Sequence, residues 1–157
     1  MTLRQFNIKG VTDALTAFNY FTAGVDFEDI TKGRLGALLV NNMTYIPLVR
    51  STTIYNTPAQ LMSEPHQRLV QELETITGYK YNNALIEIYD DRYRKMGYHS
   101  DQAQDLMEAS GIAIVSFYEQ PATAGLRKLL IVPKTSDYTQ CAPQEIPLTH
   151  GSVVIFD

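Results

Sequence analysis

Asn83-Ala84-Leu85-Ile86-Glu87-Ile88-Tyr89, then Asp90-Asp91-Arg92-Tyr93-Arg94-Lys95-Met96-Gly97-Tyr98, then His99-Ser100-Asp101, is the stretch around which the chain is arranged. Its first part alternates as a strand does. Ala84, Ile86 and Ile88 fall on one face and Leu85, Glu87 and Tyr89 on the other. A charged turn follows. His99 and Asp101 flank a single residue, so in extended backbone an imidazole and a carboxylate project to the same side, close enough to bind one metal ion.

Downstream, Ile112-Ala113-Ile114-Val115-Ser116-Phe117-Tyr118, Leu126-Arg127-Lys128-Leu129-Leu130-Ile131-Val132 and Ile146-Pro147-Leu148-Thr149-His150-Gly151-Ser152-Val153-Val154-Ile155-Phe156 are largely apolar runs between polar connections. From residue 79 onward the chain is mostly β, with strands expected at 80–89, 95–100, 112–118, 127–133 and 152–156. Upstream, Val11 to Phe21 predicts a short helix capped by Thr12 or Asp13, with Leu15, Phe18 and Phe21 as its apolar stripe and Gly24 as its end. Ala37–Val40 and 45–49 suggest strands around an Asn41-Asn42 turn, with Pro47 at an edge. Thr57-Pro58-Ala59-Gln60 carries a helix start, and Ser63-Glu64-Pro65-His66 a second one. Leu69, Val70, Leu73 and Ile76 then mark a helical face closed by Gly78. His66 lies in its first turn, a place for a solvated or locally bonded ring.

The 157 residues suit one domain with a continuous core, and no apolar run approaches the roughly 20 residues of a membrane helix. The mixed start of the chain shows no secretion signal, and Cys141, the only cysteine, suits a reducing cytoplasm. A net charge of −4 argues against holding nucleic acid by bulk electrostatics. Arg92, Arg94 and Lys95 before His99, with Arg127, Lys128 and Lys134, could still gather at one mouth for a phosphate backbone, or be a solvated turn and strand.

The order of strand, charged turn, His-Ser-Asp and the three later runs resembles the AlkB-like branch of the iron(II)/2-oxoglutarate dioxygenases, over roughly residues 45–157. The resemblance implies an α+β fold, a double-stranded β-helix of jelly-roll or cupin-like form with N-terminal helices packed on the sheet. It implies Fe(II) held by His99 and Asp101, with 2-oxoglutarate and dioxygen consumed. Tyr89 matches the family tyrosine whose hydroxyl bonds 2-oxoglutarate; its alternative place is as an aromatic filling the barrel. Arg127 can grip a carboxylate bidentately or simply face outward. Glu87 departs from the family, which commonly has Asn there, because a carboxylate repels 2-oxoglutarate unless protonated or paired with a cation.

In the family a second histidine and a 2-oxoglutarate-gripping arginine follow the strand that 152–156 resembles. The resemblance therefore implies a C-terminally truncated domain with incomplete final strands and weak or no turnover. His150 is the downstream histidine that could substitute. The activity implied is oxidative demethylation or hydroxylation, with an alkylated nucleic acid base first and a protein side chain second. Tyr45, Tyr55, Tyr93 and Tyr98 are available to stack on a flipped base or to line core and rim. Rival readings are a non-enzymatic β-sandwich binding module, and a cupin-like protein holding zinc or nickel through His99, Asp101 and His150.

Overall fold

The computed structural model describes residues 3–7, 14–44, 46, 55–100, 110–120, 126–132 and 141–156. Thr12, Asp13, Tyr45, Pro47, Asp101 and Lys134 lie outside them, and with them most of the expected strand at 45–49. The elements run β1 (Leu3–Asn7), α1 (Ala14–Thr22), β2 (Glu28–Thr31), β3 (Arg34–Val40), β4 (Gln60–Leu61), α2 (Glu64–Thr77), β5 (Asn83–Tyr89), β6 (Ile112–Ser116), β7 (Lys128–Ile131), β8 (Gln144–Pro147) and β9 (Ser152–Phe156). The fold is thus mixed α/β, with two helices and nine strands among the described residues. They form two units, one of residues 22–111 and one of 1–21 with 112–157.

In the first unit β3 is the central strand. Antiparallel β5 pairs with it from Arg34–Tyr89 to Val40–Asn83, while β2 and the short parallel β4 share its other edge. Flanked on both edges, β3 reads as a near-continuous apolar run, and Ala37 to Val40 are buried. α2 starts at Ser63 and ends at Gly78, whose amide bonds Glu74 O at 2.9 Å. Its buried stripe starts earlier than the sequence suggests, at His66, and continues through half-buried Leu69 and Val70 to Leu73. The His66 ring is locally bonded: its Nδ1 accepts the Ser63 amide at 3.2 Å and lies 2.8 Å from the Ser63 hydroxyl.

The helix start at Thr57 does not form. The Glu28 carboxylate takes the amides of Asn56 and Thr57 at 2.9 and 2.5 Å, the donors a helix N-terminus there would present. Gln60 instead pairs with the Asp26 backbone, accepting its amide at 2.8 Å and donating to its carbonyl at 2.9 Å. At the expected Asn41-Asn42 turn, Asn42 Oδ1 accepts the Thr44 amide at 2.8 Å, and most of the strand expected after it lies outside the described residues.

In the second unit β9 lies between antiparallel β1 and β6, and Ser152 to Ile155 are fully buried along it. β7 and β8 form a separate antiparallel pair. β1, β2 and β8 were not expected from the sequence; their mixed residues carry no clean alternation. α1 ends before Gly24 as expected, but its buried position is Ala17, and Leu15 is exposed. Phe21 stacks on Phe117 with centroids 4.6 Å apart.

Candidate active site

β5 ends in the residues that matter most. Glu87 and Tyr89, two apart, share one face, and Arg34 sits directly across from Tyr89 on β3. Arg34 donates from Nη2 and Nε to Glu87 Oε1 at 2.5 and 3.2 Å, with both side chains about nine-tenths buried. The Tyr89 hydroxyl donates to the other Glu87 oxygen. The carboxylate at position 87, expected to repel a dianion unless paired, is therefore paired with a cation. Burial, then the neighbouring Glu87 charge and this hydrogen bond, push the Tyr89 phenol far above its ordinary range. Burial alone would lower the Arg34 guanidinium, but Glu87 outweighs it and the net shift is upward.

The cluster is closed by aromatic rings. Tyr93 stacks on Tyr89 at 5.3 Å, and the Arg34 guanidinium lies 6.0 and 5.7 Å from the two ring centroids. Opposite Glu87 the strand carries Gly36, and a Cβ there would meet Ile30 Cγ1 at 3.0 Å and Tyr55 Cε1 at 3.3 Å. Sequence reasoning missed Arg34. The available signal was a lone cation opening an otherwise apolar strand.

Beyond Tyr89 the chain turns at Asp90, whose carboxylate accepts the Arg92 amide at 2.8 Å and the Arg92 side chain at 2.5 Å. Residues 95–100, expected as a strand, form none, and the backbone that would set His99 and Asp101 on one side runs beyond the described residues. His99 is exposed, and its Nδ1 lies 2.9 Å from Gly97 O. A carbonyl only accepts, so Nδ1 carries the proton and Nε2 is the basic nitrogen of the neutral ring. In that tautomer Nε2 carries the lone pair with which an imidazole can bind a metal.

His150 has the opposite arrangement. Its Nδ1 accepts the Tyr118 amide at 3.1 Å, which leaves the proton on Nε2, a buried donor without a hydrogen-bond partner among the described residues. It is a backbone-bound turn residue, and in this tautomer its Nε2 offers no lone pair to a cation, which weighs against the alternative of His150 as substitute ligand. Tyr118 ties the same region together. Its hydroxyl donates to Leu148 O at 2.7 Å and accepts the Arg127 amide at 3.0 Å. Arg127 itself is half-buried just before β7 rather than on the expected strand.

The basic residues are partly neutralised where they stand: Arg92 pairs with Asp90, and Lys128 with Glu145 at 2.6 Å. Of the four tyrosines noted for stacking, Tyr55 and Tyr93 lie in the cluster on β3 and β5, and Tyr98 is exposed.

A family model described as the 2OG-Fe(II) oxygenase superfamily matches residues 43–157, and the chain belongs to that superfamily. Within it the chain is AlkB-like. It is 32% identical over 89 residues to alpha-ketoglutarate-dependent dioxygenase alkB homolog 3 of Rattus norvegicus, covering 57% of this chain and 30% of that protein. Against the Mus musculus protein of the same name it is 28% identical over 137 residues, 80% of this chain and 46% of that protein. The chain thus spans less than half the length of these curated relatives.

Iron(II) and 2-oxoglutarate are the cofactor and cosubstrate that this family implies, with dioxygen as the second cosubstrate. His99 fits the metal by its tautomer; its expected carboxylate partner Asp101 lies outside the described residues. No three His, Cys, Asp or Glu side chains among the described residues converge to hold a metal ion. His66 and His150 are the chain's other two histidines, and in each Nδ1 accepts a backbone amide.

Proposed function

We propose that this chain forms the iron- and 2-oxoglutarate-facing part of an oxygenase that oxidises a C–H bond, with His99 and Asp101 as metal ligands and Tyr89 beside the cosubstrate. The observation that carries the proposal is the His99 tautomer, fixed by Gly97 O at 2.9 Å, in a segment that the superfamily model covers. Iron(II) bound there supplies dioxygen activation coupled to decarboxylation of 2-oxoglutarate to succinate. The residues of the chain position and orient: Gly97 holds the imidazole, and the cluster on β5 and β3 shapes the wall on which Tyr89 stands. Both units belong to one domain of double-stranded β-helix type, a reading supported by a family match that takes in most of each. Arg127 is a further candidate for a carboxylate contact, and the chain acts in the cytoplasm.

An alkylated nucleic acid base is the first substrate, in line with the similarity to alkB homolog 3 proteins. The local neutralisation of Arg92 and Lys128 favours a second reading, a protein side chain, because fewer cations are left for phosphates. With one imidazole and one carboxylate holding the metal, the chain by itself turns over slowly.

The test is succinate formation with iron(II) and 2-oxoglutarate, run with an N-methylated oligonucleotide and separately with a methylated peptide. Slow iron-dependent succinate that disappears in His99→Ala is expected, with formaldehyde released from the oligonucleotide alone. Succinate unchanged in His99→Ala overturns the site, and formaldehyde from the peptide alone moves the substrate to protein.

A further inference from the structure

We infer that Arg34 is a positioning residue for 2-oxoglutarate, setting the charge of the wall on which Tyr89 stands through its pairing with Glu87. The inference rests on the oxygenase reading above and adds to it a residue from a strand outside the region that the superfamily model covers.

The argument starts from proton inventory. An ionised Glu87 only accepts, so the short contact with Tyr89 commits the phenolic proton to Glu87. The Tyr89 hydroxyl then has no proton left to offer a carboxylate. Glu87 adds a full negative charge on the same face. Without compensation, this wall would reject a dianionic 2-oxo acid.

Arg34 supplies the compensation. It opens β3 in register with Tyr89, is 8% exposed, and places Nη2 2.5 Å from Glu87. The faces of Tyr89 and Tyr93 hold its guanidinium laterally. At this burial, charges are weakly screened, so the sum of the pair is felt by an anion nearby. In the paired state the wall is neutral. Removing Glu87 leaves a cation, and removing Arg34 leaves an anion.

Opposite signs follow for the two single variants. In calorimetric titration of 2-oxoglutarate into the chain loaded with manganese(II), Glu87→Gln should bind several-fold tighter than the unaltered chain. Arg34→Gln should bind about tenfold or more weaker. The double variant Arg34→Gln with Glu87→Gln, neutral again, should return close to the starting affinity, and Arg34→Lys should recover most of it.

A purely structural role for the pair moves both single variants in the same direction, in affinity and in thermal midpoint alike; that result overturns the inference. Should Arg34→Gln fail to fold, Glu87→Gln and the double variant still decide: Glu87→Gln no tighter than the unaltered chain refutes the electrostatic role. If the unaltered chain with manganese(II) binds no 2-oxoglutarate at all, the oxygenase reading itself falls, and this inference with it. Binding by the unaltered chain with no difference among the variants overturns the inference alone.

Discussion

Tyr118 shows how one side chain can hold a region that has little regular structure. Its hydroxyl satisfies both Leu148 O and the Arg127 amide, and its own amide fixes the His150 ring. Tyr118→Phe strands the first two groups while keeping the ring, so it should cost about 1–3 kcal/mol of stability, read as a lower urea midpoint at unchanged slope. A midpoint equal to that of the unaltered chain would mean that water replaces the hydroxyl without loss. The role of Tyr118 was not legible beforehand, because its partners are 30 and 9 residues away and are backbone atoms, which carry no sequence signature. The His99 tautomer was hidden for the same reason. The residue type was readable; the carbonyl that orients it was not.

Among elements, the hairpin of β2 and β3 has the least room for change. Gly33 lies in the left-handed region at φ 78, and its carbonyl accepts the Asp90 amide at 3.0 Å. A Cβ there would stand 2.7 Å from the Tyr93 backbone nitrogen. Gly33→Ala should therefore lose about 1–3 kcal/mol from the unfavourable φ and the clash, and should disturb the Tyr89–Tyr93 stack, visible as a change in near-ultraviolet circular dichroism. Gly24→Ala is the control, since its φ is similar but nothing lies within 4 Å of the added methyl.

The segment leading into β4 depends on Glu28. Hydrogen bonds from Thr57, above all, hold this carboxyl below its ordinary value of 4.5. A depressed folded value means that its stabilisation is present above about pH 4.5 and is lost as pH falls through the folded value. Hydrogen exchange at the Asn56 and Thr57 amides, corrected for the intrinsic rate, should accelerate in that acid window, whereas Glu28→Gln should show high exchange at every pH. These tertiary partners also explain why the helix signal at Thr57 failed. Ser63 and Gly78 delimited α2 correctly because their partners are local.

At the scale of the molecule, the apolar runs at β5, β6 and β9 were legible because β9 lies inside its sheet, while β5 and β6 each pair along their whole length with a central apolar strand. β1 and β8 were not, because Leu3–Asn7 and Gln144–Pro147 mix polar and apolar residues without alternation. The family was readable from the order of motifs, and its model matches 43–157. The Arg34–Glu87 pair was not, since its members are 53 residues apart and only the register of β3 on β5 brings them together.

The central claim is that His99 and Asp101 hold the metal, and that His66 and His150 do not. It is tested most directly by calorimetric titration of manganese(II), with 2-oxoglutarate present, into the chain and into His99→Ala, Asp101→Ala, His66→Asn and His150→Asn. Binding should vanish in the first two variants and persist in the last two. Metal affinity that survives His99→Ala, or that disappears in His150→Asn while the protein remains folded, would contradict the account.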